Sequence, residues 1–140
     1  MYTTYFDILS RVYGPDDLDQ ALSDAVRTGE ITENEAEQAG MLLKERISQV
    51  SDKGWFPEDR GGVMNEVSLM DTDGQVYRPD RVIRRGNTVI IVDYKFGEHH
   101  PKYERQLVKY ARLWKEIGAT EVSAYLWYVA DGDIVQVQTS

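Results

Sequence analysis

Cysteine is absent from these 140 residues. Its absence excludes disulfides, thiolate nucleophiles, thiolate zinc sites and cysteine-held iron–sulfur clusters. Long apolar runs are missing too. No stretch of about 18 consecutive apolar residues occurs, so no transmembrane helix is expected. The opening MYTTYFDILSRV lacks a basic n-region and a small-residue cleavage site. It is a poor signal peptide, and a cytoplasmic location is the simplest expectation. Internal repeats and low-complexity stretches are also lacking. Overall basic charge, the usual footprint of a nucleic-acid binder, is replaced by a formal net charge of −8.

What is present suits a globular chain. The hydrophobic fraction is 41%, with nine Tyr and three Trp, and the length suits a single domain over 1–140 with a real core. Charge is unevenly spread. Residues 1–60 hold thirteen acids against six bases, a net −7, whereas residues 78–115 hold ten bases against four acids, a net +6. Two of those four acids are Asp80 and Asp93. The basic segment would attract a phosphate backbone locally; the plainer alternative is an ordinary solvated face.

Apolar periodicity divides the chain into a helical segment, 1–60, and a strand-rich core, 61–140. A helix is expected over 2–13, with Tyr5, Ile8, Leu9 and Val12 on one stripe. A second follows the Asp16/Asp19 pair and stops at Gly29. A third opens on the Thr32/Glu35 capping box and runs to about Val50. Trp55 and Phe56 are expected to anchor the following loop. Strands are expected at Val63–Met70, Gln75–Ile83 and Thr88–Phe96, then a helix over Pro101–Ile117, then strands at Glu121–Val129 and Ile134–Gln138. Val89–Val92 is apolar on both faces, so this strand is expected to be central. The order describes an α/β protein.

Asp80, in RPDRVI, and Asp93 and Lys95, in VIIVDYKFG, carry the chemistry. An unpaired carboxylate inside an apolar strand is costly, so ionisable groups converging there need a reason. If RRGN closes the hairpin with two or four loop residues, Asp80 lies opposite Ile91. Asp93 and Lys95, two and four residues on, then share its face. A three-residue loop or a bulge would reverse this, and Pro79 suggests a bulge or an unpaired strand side. On a shared face, Asp80 and Asp93 are a pair of oxygen ligands for Mg²⁺ or Mn²⁺. The Tyr94 carbonyl is a possible further ligand, and Lys95 orients water or stabilises charge at phosphorus. Glu66 could reach the same site as ligand or base, or sit on a solvated face. The bland alternative for Asp93 and Lys95 is a structural salt bridge. In the next helix Lys102, Arg105, Lys109 and Arg112 form one strip, a candidate phosphate track beside an apolar face of Tyr103, Leu107, Tyr110, Leu113, Trp114 and Ile117. His99 and His100 precede it.

These residues resemble the PD-(D/E)XK nuclease superfamily: Pro79-Asp80, twelve residues, then Asp93-Tyr94-Lys95. Phe96-Gly97 and the Gln106/Tyr110 pair in YERQLVKY look like the RecB-like branch, in which the nuclease domain typically ends a UvrD-like helicase, as in RecBCD and AddAB enzymes. The similarity covers roughly 63–129. It implies a restriction-endonuclease-like αβββαβ core, a mixed sheet flanked by helices, preceded here by the N-terminal helical segment. It implies Mg²⁺-dependent DNA cleavage of exonuclease type in repair or recombination. Asp80 and Asp93 would be metal ligands, Lys95 the catalytic lysine, and Gln106 and Tyr110 the supporting helix pair. DNA would be the substrate, contacted also by Arg81, with a helicase portion as partner and no membrane. Two departures stand out. Many members carry a metal-binding histidine in the N-terminal helix, yet no histidine precedes His99, and no Gly-rich phosphate loop is present. The missing phosphate loop points to an excised or stand-alone nuclease domain, and the missing histidine motivates an alternative: a catalytically silent module of the same fold that binds DNA or a partner protein.

Overall fold

A computed structural model describes residues 2–65 and 68–139. The chain is a mixed α/β protein of two compact units, Met1–Gly61 and Gly62–Ser140.

The first unit is helical: α1 (Tyr2–Ser10), α2 (Leu18–Arg27) and α3 (Glu33–Gln49). The Thr32/Glu35 capping box forms. Thr32 Oγ1 accepts from Glu35 N at 3.1 Å, and Glu35 Oε1 accepts from Thr32 N at 3.0 Å. The entry to α2 differs from expectation. Asp17, not Asp16, closes the turn, its Oδ2 accepting from Tyr13 N and Gly14 N, both at 3.0 Å, and a short 3₁₀ turn, Pro15–Asp17, precedes the helix. Leu18, Ala21, Leu22 and Ala25 of α2 and Ala39, Leu43 and Ile47 of α3 are buried. Gly40 permits the close approach of these helices, since a Cβ there would lie 3.1 Å from Leu22 Cδ1. Trp55 and Phe56 are buried, as their loop position suggested.

Among its described residues the second unit has seven strands where five were expected: β1 (Val63–Asn65), β2 (Leu69–Met70), β3 (Val76–Tyr77), β4 (Arg81–Arg85), β5 (Thr88–Lys95), β6 (Glu121–Tyr128) and β7 (Asp133–Val137), with α4 (Pro101–Glu116) between β5 and β6. The first two expected strands are each broken. Pro79 has no amide hydrogen with which to continue a ladder, and Pro79-Asp80 separates β3 from β4. The outer halves pair with each other as a small antiparallel ribbon, β2–β3, while the inner halves join a five-stranded sheet of order β1-β4-β5-β6-β7. That sheet is mixed: β5 runs antiparallel to β4 and parallel to β6. The parallel crossover is α4. The strand rich in Val and Ile, β5, is the central one, as its two-sided apolar pattern predicts.

The β4–β5 register is two residues from the expected one. Arg85 pairs with Thr88 and Arg81 with Val92, so the loop is Gly86-Asn87 alone. Gly86, with φ 61°, supplies the positive φ that a two-residue hairpin needs at its first central position. Because side chains alternate with period two, a shift of two preserves face parity. Extended by one position, this register brings Asp80 opposite Asp93 instead of Ile91.

One face of the sheet packs on α4. Val82, Val89, Ile91, Val122, Ala124, Leu126, Tyr128 and Val137 form a core with Leu107, Tyr110, Ala111 and Trp114. Ile117, assigned to that helix face by the wheel, lies beyond the helix end and is 59% exposed. No helix among the described residues is long and apolar enough to cross a membrane.

Candidate functional site

Asp80 lies immediately before β4, and Asp93 and Lys95 end β5. Asp93 and Lys95 continue the Val89/Ile91 face that packs on α4, but lie past the packed region, where both are partly exposed. The two carboxylates each grip the other strand's backbone. Asp93 Oδ1 accepts from Asp80 N at 3.2 Å, and Asp80 Oδ2 accepts from Tyr94 N at 2.7 Å. Where Pro79 cannot extend the ladder, the Asp80 side chain takes a backbone acceptor's place.

This clasp brings two carboxyl groups together. Asp80 is only 9% exposed. Burial pushes its carboxyl up, the hydrogen bond and negative charge of Asp93 push it further, and the Tyr94 N–H and the Lys95 charge only partly oppose them, leaving it at about 9. Lys95 Nζ sits 3.0 Å from Asp93 Oδ2 and 4.1 Å from the centre of the Tyr103 ring. The ammonium is therefore held from two sides, by a carboxylate and an aromatic face.

A cleft of about 320 Å³ opens beside Asp93, lined among others by Arg78, Pro79, Gln106, Lys109 and Tyr110. Gln106 and Tyr110, one turn apart on α4, thus face the same space as Asp93. Burial pushes the Tyr110 phenol up to about 12, so it stays protonated at neutral pH. A second cavity adjoins the cleft through Gln75, Tyr77 and Lys109, and also includes Asp71, Asp73, Arg112 and Glu116.

The remaining expected residues divide. Lys102, Arg105, Lys109 and Arg112 are all exposed on α4, with Lys109 at the cleft and Arg112 in the second cavity. Arg81 is not available to nucleic acid. It is fully buried, 0% exposed, on the face opposite Asp93, and its Nε donates to Tyr94 Oη at 2.7 Å. The adjacent position in an alternating strand sends a side chain to the other face. His99 stacks on Tyr128 with 3.7 Å between ring centres, and His100 Nδ1 accepts from Lys102 N at the start of α4. Both histidines have structural partners. Glu66 lies outside the described residues. Arg78 and Tyr103 were not singled out for the site; Arg78 adjoins the Pro79-Asp80 motif, whereas Tyr103 was assigned to the apolar face and gave no separate signal.

Among the described residues, no three His, Cys, Asp or Glu side chains gather as a metal-holding group. The described side chains contribute the Asp80/Asp93 pair. Its chemistry fits a divalent cation, since the Asp80 carboxyl, pushed up by burial and by Asp93 beside it, is relieved by added positive charge. Neither a protein-family model nor a curated protein matches this sequence.

Proposed function

We propose that the chain is a metal-dependent deoxyribonuclease domain of the PD-(D/E)XK type, RecB-like in its motifs, with a restriction-endonuclease-like core and a role in DNA repair or recombination alongside a helicase portion. The observation that carries this reading is the reciprocal Asp80/Asp93 clasp with Lys95 3.0 Å away, opening on a cleft that Gln106, Lys109 and Tyr110 share. Two acids, one lysine and phosphate-binding groups are what phosphodiester hydrolysis requires.

Asp80 and Asp93 would hold Mg²⁺ or Mn²⁺, with the Tyr94 carbonyl as a further oxygen on the same segment. The cation would supply positive charge against the charge developing at phosphorus. Lys95 positions the attacking water and stabilises the same charge. Water would add to phosphorus and release a proton to solvent, the bridging P–O bond would break, and the leaving oxygen would take a proton from solvent. Gln106 and the protonated Tyr110 hold the nucleotide by hydrogen bonds, and Lys109 holds a flanking phosphate. Cation binding must displace the proton that Asp80 retains up to about pH 9, so cation affinity is expected to rise with pH.

The test is cleavage of end-labelled DNA in Mg²⁺ or Mn²⁺ by wild type, Asp93→Ala and Lys95→Ala. Cleavage confined to wild type supports the reading; equal cleavage by all three removes the site assignment. A second reading, a silent module of the same fold, draws on the presence of only two carboxylates in the described site. Titration calorimetry with Mn²⁺ separates them, because binding lost in Asp80→Ala argues against silence.

A further inference from the structure

The two histidines ahead of α4 are held in different ways. His100 Nδ1 accepts from Lys102 N, so its ring closes the start of the helix. The His99 ring instead lies flat on Tyr128, with 3.7 Å between ring centres and 7° between planes. Its side chain is nevertheless 52% exposed. Tyr128 beneath it is 2% exposed and belongs to the core under α4. The inner ring is therefore fixed in place, and the exposure of the outer ring lies on its other face and its edge. At that edge His99 Nε2 sits 3.7 Å from Asp133 Oδ2. The result is a flat aromatic surface, supported on one side and open on the other.

Its place relative to the acids decides what can lie on it. Lys95 and Tyr128 are paired positions of the parallel strands β5 and β6. Their side chains therefore share the α4 face, one strand spacing, about 4.8 Å, apart. The cleft with Arg78, Pro79 and Gln106 adjoins Asp93 on the side of β4, whereas Tyr128 and the ring on it stand on the side of β6. A DNA strand with one phosphate at Asp93 and Lys95 thus has a nucleotide towards the cleft and the next one towards His99. The carboxylate of Asp133 makes the edge of the ring unfavourable for a further phosphate. A neutral base meets no such repulsion, and every base has a π face that stacks on an aromatic ring. We propose that the open face of His99, carried on Tyr128, is a stacking site for one unpaired base of a DNA strand whose neighbouring phosphate lies at Asp93 and Lys95. This inference rests on the nuclease reading above and adds a base-binding position to that site.

The test uses the full chain and a short single-stranded oligothymidine, with affinity read by fluorescence anisotropy in Ca²⁺. One abasic site is moved along the oligonucleotide. With wild type, one position should weaken binding about tenfold, the loss of one stacked base. With His99→Ala that penalty should vanish, and His99→Phe, which keeps a ring, should restore it. The slope of log affinity against log salt should be the same in all three proteins, since no phosphate contact is lost. An abasic penalty equal in wild type and His99→Ala overturns the proposal. So does a shallower salt slope in His99→Ala, which would place a phosphate at the ring. Cleavage of the same oligonucleotide in Mg²⁺ is read separately. A His99-dependent penalty without cleavage removes the nuclease reading and leaves the stacking site standing. Cleavage without that penalty removes the stacking site alone, and failure of wild type to bind the oligonucleotide removes both.

Discussion

Two pairs of neighbouring residues, Asp80-Arg81 and Asp93-Tyr94, place polar groups on both faces of the β4–β5 hairpin at the same level. On one face the chemistry closes. Arg81, 0% exposed, donates to the Tyr94 hydroxyl at 2.7 Å. On the other it does not: two carboxylates lie together with one lysine between them and solvent, and Asp80 is held at about 9. A donor matched to an acceptor locks a strand pair. Two carboxyl groups held together away from water cost stability, and groups perturbed in this way are enriched at functional sites. On the proposed reading the contrast separates a structural polar pair from a candidate functional one, and it can be broken from either side.

The largest effect should come from the unmatched face. Asp93→Ala and Lys95→Ala are expected to lower metal-dependent cleavage by about 10³-fold or more, on the order of 4 kcal/mol of barrier, while leaving the urea midpoint nearly unchanged. Arg81 should invert that pattern. Arg81→Ala opens a cavity and leaves the Tyr94 hydroxyl without this donor, which is expected to cost about 2–4 kcal/mol in urea unfolding. A stability loss for Asp93→Ala equal to that of Arg81→Ala would erase the distinction between the faces.

Next comes Asp80→Asn, which keeps an acceptor for Tyr94 N but removes the charge. The folded carboxyl, at about 9 against an ordinary 3.8, retains a proton that the unfolded chain releases. Stability from this group is therefore complete below about pH 4 and declines as pH rises towards 9, by at most ~1.4 kcal/mol per pH unit. In metal-free buffer Asp80→Asn should be more stable than wild type at pH 8, by about 1–2 kcal/mol, with the gain shrinking at pH 5. A gain that is flat with pH would show that Asp80 is not strained. Mn²⁺ should reverse the order by stabilising wild type alone; a cation at a hundred times its Kd contributes about 2.7 kcal/mol.

Local signals carried much of this architecture. The Thr32/Glu35 box, the two-sided apolar run of β5 and the Pro101 start of α4 each depend on neighbours within a few residues, and each appears in the structure. Face parity of Asp80, Asp93 and Lys95 was legible because a two-residue change of register preserves it. The register itself was not, since RRGN admits a turn at either end and Gly86 decides by its positive φ. The β2–β3 ribbon was hidden because Val63–Met70 and Gln75–Ile83 read as continuous strands; Pro79 marked the break without saying that the outer halves would pair separately. Arg81 was misplaced for a related reason. A basic residue in a basic segment looks exposed, and only the tertiary pairing with Tyr94 shows that its charge is spent in the core.

The smallest effects lie along α4, where the four bases were treated as one track. The structure makes them unequal. Lys109 borders the Asp93 cleft, whereas Arg112 shares its cavity with Asp71, Asp73 and Glu116. Those carboxylates lower the potential that a phosphate would meet beside Arg112. Lys109→Ala should therefore weaken binding to duplex DNA and reduce the slope of log affinity against log salt by about 0.9, the loss of one phosphate contact. Arg112→Ala should change that slope by less than half as much. Fluorescence anisotropy across a salt series, in Ca²⁺ to block cleavage, measures both. Equal slopes for the two variants would mean that the strand runs on past the acids, and that the charge of the ribbon's turn does nothing to direct it.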